Sequence, residues 1–111
     1  MVGKDLMKGS TALLVLSLLS DGEKYGYQMI GELKKQSDGV FDMKEGTLYP
    51  VLHALENDGA VEGIWQDSAE GRRRKYYRLT KKGGRLLDEK RKEWTAYAQA
   101  VGKVIGGVCR A

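Results

Sequence analysis

Helical hydrophobic spacing in the middle of this chain gives way abruptly to strand-forming residues. Four apolar side chains occupy positions i, i+3, i+4 and i+7, which places them on one face of an α-helix: Leu48, Val51, Leu52 and Leu55. Asp58 and Gly59 end this pattern. From 60 to 66 and from 72 to 80 β-branched and aromatic residues follow, separated by a five-residue turn segment. A helix followed by a β-hairpin is therefore expected.

Two further helices are predicted ahead of this unit, over Leu6–Leu19 and Tyr25–Gln36, each ending at a short polar segment with a glycine. The start of the third helix is open because of Pro50. Either Thr47 caps the helix and the proline falls in its first turn, or the helix starts near Lys44 and tolerates a local distortion.

A long last helix is predicted from the N-cap Thr80 onward. Along this helix the hydrophobic pattern repeats every seven residues, which defines a seam on one side of the helix. Six of the seven positions along the seam are apolar or aromatic. Such a seam, at the end of a domain with its own core, predicts pairing with a second helix; the alternative is a helix folded back on its own domain. The predicted dimerisation residues are Leu87, Trp94, Tyr97, Val101, Val104 and Val108.

The length of 111 residues suits one compact unit. Within it we expect a first part over 1–80, which holds three helices and the hairpin, and a dimerisation helix over 81–111. The single cysteine, Cys109, cannot close an internal disulfide, which favours a reducing, cytoplasmic location. We expect this cysteine to have no functional role.

Neither catalysis nor metal binding is expected. His53 is the only histidine and has no partner at ligand spacing. Nothing in the sequence pairs a serine or cysteine nucleophile with that histidine, and the glycines do not form a phosphate-binding loop. We therefore predict no enzyme activity and no cofactor.

Positive charge is concentrated in one part of the chain. The net charge is only +4, but residues 71–92 hold eleven basic and two acidic residues, a net of +9, and the other 89 residues carry −5. A basic stretch on an acidic body is typical of a polyanion-binding surface, although a solvated helix face would give the same pattern.

Three helices, a hairpin and a closing helix are the order of a winged helix-turn-helix, so we predict a mainly α fold with a small β-hairpin and a long C-terminal dimerisation helix. In that fold the third helix enters the DNA major groove and the hairpin, or wing, reaches phosphate. Tyr27 and Trp65 are expected to pack internally. The part over 1–80 is therefore the predicted DNA-binding domain. The predicted DNA-binding residues are Tyr25, Lys44, Thr47, Tyr49, His53, Arg72, Arg73, Arg74 and Lys75.

From about Lys8 to Trp94 the chain resembles the PadR family of bacterial transcriptional regulators, in particular its short members with one C-terminal helix. The resemblance rests on three segments in the right order: Tyr25-Gly26-Tyr27; Gly46-Thr47-Leu48-Tyr49-Pro50 with Leu52, Leu55, Glu56 and Gly59; and Gly71-Arg72-Arg73-Arg74-Lys75-Tyr76-Tyr77-Arg78-Leu79-Thr80 with Gly83.

The resemblance implies a homodimer that binds double-stranded DNA and generally represses transcription until a small molecule or another signal releases it. The two-fold symmetry of such a dimer predicts a pseudo-palindromic site. In some relatives an aromatic residue on the last helix stacks on planar hydrophobic effectors, and Trp94 matches that position. Two alternatives stay open: a winged helix that docks on an acidic protein, and a non-specific architectural DNA binder.

Overall fold

The computed structural model describes the backbone of residues 4–106 and the side chains of residues 9–106. Val108, predicted on the seam, and Cys109, predicted to have no functional role, lie outside the described residues. The elements in chain order are α1 (Lys4–Leu18), β1 (Lys24–Tyr25), α2 (Gly26–Gln36), α3 (Glu45–Asn57), β2 (Val61–Asp67), β3 (Arg73–Leu79) and α4 (Lys81–Ile105). Within the described range no helix is both long and apolar enough to cross a membrane.

The mainly helical fold with a small antiparallel sheet confirms the predicted winged-helix architecture. The sheet nevertheless has three strands in the order β1-β3-β2, one more than predicted. Lys24 pairs with Tyr77 and Tyr25 pairs with Tyr76. A two-residue strand is too short to show an alternating pattern, and it forms only because the fold brings it to the free edge of β3.

The core lies between the first three helices, the start of α4 and the inner face of the sheet. Apolar residues of every layer are almost fully buried because helical and strand periodicities point one face of each element inward. The largest fully buried side chains are Val15, Leu16, Met29, Leu48, Leu52, Val61 and Tyr77.

Helix α3 begins at Glu45 with Lys44 at its N-cap, so the second alternative for Pro50 is correct and the proline lies inside the helix. Thr47 is therefore a helical residue and not the cap. The exposed position of Pro50 puts the missing N–H on the solvent side, where local distortion is tolerated.

Two aromatic residues predicted to pack internally are exposed. Tyr27 is 68% exposed, because α2 turns Gly26, Met29 and Leu33 inward and Tyr27 lies about 100° away from Gly26 around the helix. Trp65 is 57% exposed, because β2 continues outward beyond the edge of the core.

The Thr80 side chain accepts a hydrogen bond from the Gly83 backbone N–H, as a helix N-cap does, and this confirms the predicted start of α4. The Thr80 hydroxyl also donates to the Gly59 carbonyl, so the cap ties α4 to the end of α3. A Cβ at Gly83 would overlap the backbone carbonyl of Ala60. Only glycine allows α4 to approach this closely.

Helix α4 divides into a part that belongs to the core and a part that does not. Leu87, predicted to be a dimerisation residue, is 3% exposed and packs in the core of its own chain. Farther along, Trp94, Tyr97 and Val104 are 50%, 61% and 86% exposed. The helix ends at Gly106, whose φ of 107° is in the left-handed region that favours glycine.

Candidate nucleic-acid interface

A cleft of about 510 Å³ opens between the start of α2, the outer side of α3 and the wing, which we define as residues 61–79. We call it the wing–helix cleft. It brings together seven of the nine residues predicted from the sequence to bind DNA: Tyr25, Tyr49, His53, Arg72, Arg73, Arg74 and Lys75.

The other two, Lys44 and Thr47, lie elsewhere on α3. Lys44 is exposed at the N-cap and forms an ion pair with Asp42 at 3.0 Å. Thr47 is exposed but lies about 120° around the helix from His53, so the two side chains face different sides of the helix. Residues 46, 50 and 57 are also exposed and lie between them.

Tyr49 joins α3 to α2. A Cβ at Gly26 would overlap the Tyr49 hydroxyl, so the ring lies directly over the first turn of α2. The Tyr49 ring centroid is also 6.4 Å from that of His53. Tyr49 is half-buried, whereas His53 is exposed. Tyr49 therefore packs at the floor of the cleft, and His53 and the wing line its open side.

The four consecutive cations of the wing have different surroundings. Arg72 and Arg73 are exposed, and Arg73 places its guanidinium 5.4 Å from the centre of the Trp65 ring. Arg74 lies on the other face of the sheet, 4.4 Å from the centre of the Tyr25 ring and 3.4 Å from Glu70. Alternation along β3 separates these environments, since neighbouring side chains of a strand point to opposite faces.

Lys75 is directed at α3 and not at solvent. Its ammonium group donates to the Glu56 carboxylate at 3.2 Å and lies 5.3 Å from the centre of the Tyr77 ring. Burial acts to lower the pKa of Lys75, but the hydrogen bond to Glu56 and the nearby Tyr77 raise it overall. The lysine therefore stays charged and held at the base of the wing.

Tyr27 and Trp65 also line the cleft, although the sequence assigned both to the interior. The Glu45 carboxylate, hydrogen-bonded to the Tyr27 hydroxyl, raises the pKa of that phenol, so it stays a neutral donor. The strand pattern contained a signal that Trp65 is exposed, since this residue shares a face of the hairpin with Arg73, next to the basic turn. No sequence signal separated Tyr27 from a core residue.

A second exposed surface runs along the end of α4. The side chains of Trp94, Tyr97, Val101 and Val104 fall within an arc of about 80° around the helix. The rings of Trp94 and Tyr97 are 6.3 Å apart. We call this stripe the α4 face.

Comparison with known proteins gives a consistent result. Residues 15–89 match the transcriptional regulator PadR-like family. The chain is 32% identical over 104 residues to the transcriptional regulator Rv3488 of Mycobacterium tuberculosis, covering 94% of this chain and 91% of that protein.

Solved structures show the same fold. A PadR-like transcriptional regulator from Bacillus cereus superposes with a TM-score of 0.81 at 30% identity, over 94% of this chain and 99% of that one. Bacillus subtilis PadR in complex with operator DNA superposes with a TM-score of 0.64 at 25% identity, over 71% of this chain and 45% of that one.

Proposed function

The chain belongs to the PadR-like family of transcriptional regulators, and from this membership we propose that it is a homodimeric repressor that binds operator DNA through the wing–helix cleft. The observation that carries the proposal is the position of two exposed arginines, Arg72 and Arg73, beside the exposed side of α3. A helix flanked by cations matches the groove and the adjacent phosphates of a duplex.

We assign different tasks to the residues around the cleft. Arg72 and Arg73 bind phosphate, because a guanidinium donates two parallel hydrogen bonds to phosphate oxygens. His53 and Thr47 reach base edges from the two sides of α3, and Lys44 contacts phosphate near the start of the helix. Tyr25, Tyr49, Arg74 and Lys75 hold these groups in place through contacts within the protein.

The α4 face supports the dimer. Large apolar side chains that share one side of a helix lose contact with water when a second copy covers them. Two copies related by a two-fold axis present two α3 helices, which bind half-sites about 34–36 Å apart or at a multiple of that distance. A pseudo-palindromic operator follows from this symmetry.

The Trp94–Tyr97 pair supports release by a planar aromatic effector, because two neighbouring rings offer a stacking surface at the dimer centre. Quenching of tryptophan fluorescence by such compounds tests this step. The Trp94→Ala variant is the control, since Trp65 also emits.

Mobility shift with the duplex upstream of the protein's own coding region tests DNA binding. We expect changing Arg72, Arg73 and Arg74 to Glu to abolish binding. If the dimer neutralises about 6–10 phosphates, affinity falls about 10³- to 10⁵-fold between 50 and 200 mM salt. Absence of duplex binding by the wild-type protein would favour a protein-docking module, and unchanged binding by the triple variant would place the DNA contact outside the wing.

Footprinting then separates a regulator from an architectural DNA binder. A repressor protects one symmetric site, because both half-sites must fit the two α3 helices of the dimer. Protection without a defined site contradicts the operator assignment but leaves DNA binding intact.

A further inference from the structure

The inner face of the wing continues the core outward toward the cleft. Cross-strand partners share a face of a sheet, and on this face the pairs run outward as Val61–Leu79, Gly63–Tyr77, Trp65–Lys75 and Asp67–Arg73. Val61 and Tyr77 are buried in the core, whereas Trp65, the next large apolar residue along this face, is not. The indole is the point where the apolar face of the wing reaches solvent.

The surroundings of Trp65 are cationic. The Arg73 guanidinium lies over its ring, and Lys75 is its direct partner across the strands. A guanidinium stacked on an indole keeps its N–H donors free at the edge of the plane, so it can still bind an anion. The ring also restricts the side-chain freedom of Arg73, and less entropy is lost when that arginine binds.

We infer that Trp65 is a DNA-contacting residue of the wing, which packs its ring against a deoxyribose of the strand whose phosphate Arg73 binds. This inference rests on the proposed function and assigns a contact within it. A deoxyribose offers an apolar surface beside each phosphate, and the paired indole and guanidinium match that alternation of apolar and anionic groups. The contact carries no charge, so it strengthens binding without adding to the salt dependence.

Substitution of Trp65 tests the contact on a mixed-sequence DNA duplex and on the footprinted site. We expect Trp65→Ala to weaken binding about three- to thirtyfold on both duplexes, because part of the indole surface is removed from water when it packs on the sugar. The slope of log affinity against log salt should change by less than one, because no charge is removed. Trp65→Phe keeps an aromatic ring and should recover part of the loss; circular dichroism checks that both variants fold.

Fluorescence provides a direct measurement. In a Trp94→Phe background, whose own DNA affinity is the reference, Trp65 is the only tryptophan. Duplex DNA should quench its emission and protect it from acrylamide. Wild-type affinity in Trp65→Ala, or an indole that stays fully accessible to acrylamide on saturating DNA, overturns this inference alone. Absence of duplex binding by the wild-type protein overturns the proposed function as well.

Discussion

Lys75 on the wing donates to the Glu56 carboxylate on α3 at 3.2 Å, and the lysine side chain crosses the face of β2 at Gly63 to reach it. A Cβ at Gly63 would overlap the Lys75 side chain, so the glycine makes room for the pair. This hydrogen bond connects the wing to the helix beside it. A cation that the sequence assigned to DNA is thus engaged inside the protein.

We predict that Lys75 affects DNA binding through the position of the wing. Lys75→Gln should leave the salt dependence of affinity nearly unchanged, whereas Arg73→Gln, which removes the same charge, should reduce the slope by about two for the dimer, one phosphate contact being lost from each protomer. Both can be measured by fluorescence anisotropy at several salt concentrations. Equal slope changes in the two variants would mean that Lys75 binds phosphate.

The partner residue provides a second measurement of the same connection. Glu56→Gln should weaken DNA binding even though it removes negative charge from the cleft side of α3. The double variant with Lys75→Gln should lose no more than the larger single loss, as expected for residues that act together. Additive losses would contradict a shared role.

Two neighbouring glycines of α4 should respond in opposite ways to alanine. Gly83→Ala forces a methyl group against the Ala60 carbonyl and should lower the free energy of unfolding by about 1–3 kcal/mol or more. Gly84 has open space around its Cα, so Gly84→Ala should raise the free energy of unfolding by about 0.5–1 kcal/mol through helix propensity. Urea denaturation of both variants measures the difference, and a stabilising Gly83→Ala would show that α4 does not pack this closely.

The hydrogen bond and positive charge of Lys24, which is almost buried, lower the pKa of the Asp21 carboxyl below its ordinary value of 3.8. The pKa of Asp21 is lower in the folded protein than in the unfolded chain. The pair therefore stabilises the fold fully above the unfolded pKa, and this stabilisation is lost as the pH falls through the folded pKa. Asp21→Asn should therefore lower the melting temperature at neutral pH, and the difference from wild type should shrink in acid.

Asp42→Asn is the matched control for this pH effect. It removes the same kind of charge from a pair whose lysine, Lys44, is largely exposed, so the loss at neutral pH should be smaller. A melting-temperature difference for Asp21→Asn that stays constant into the acid range would contradict the role of the Lys24 pair.

The α4 face should be sensitive to charge, and the opposite side of the helix should not. Tyr97→Glu places a carboxylate on the proposed dimer contact, whereas Gln99→Glu makes the same charge change on the other side of α4. We expect Tyr97→Glu to give monomers by light scattering and to lose about 10²-fold or more in DNA affinity, because the two half-sites no longer bind as one. Monomers in both variants would place the contact elsewhere.

Much of the fold followed from the sequence because its signals are local. The apolar spacing from Leu48 to Leu55 defines α3, the strand-forming segments define the wing, and Thr80 defines the start of α4. Hydrogen bonds and periodicity within each segment are sufficient for these elements. The concentration of cations at the turn likewise predicted the surface that we propose to bind DNA.

Only the tertiary structure decided which of those side chains are available. The sequence could not reveal that Lys75 is held by Glu56, 19 residues earlier, or that Leu87 packs in the core while Trp94 on the same helix face does not. It also placed Trp65 in the interior, although the wing extends beyond the core at that residue. Periodicity determines which face of an element a residue occupies. Whether that residue is buried or paired depends on where the neighbouring elements end, and contacts between distant segments determine those positions.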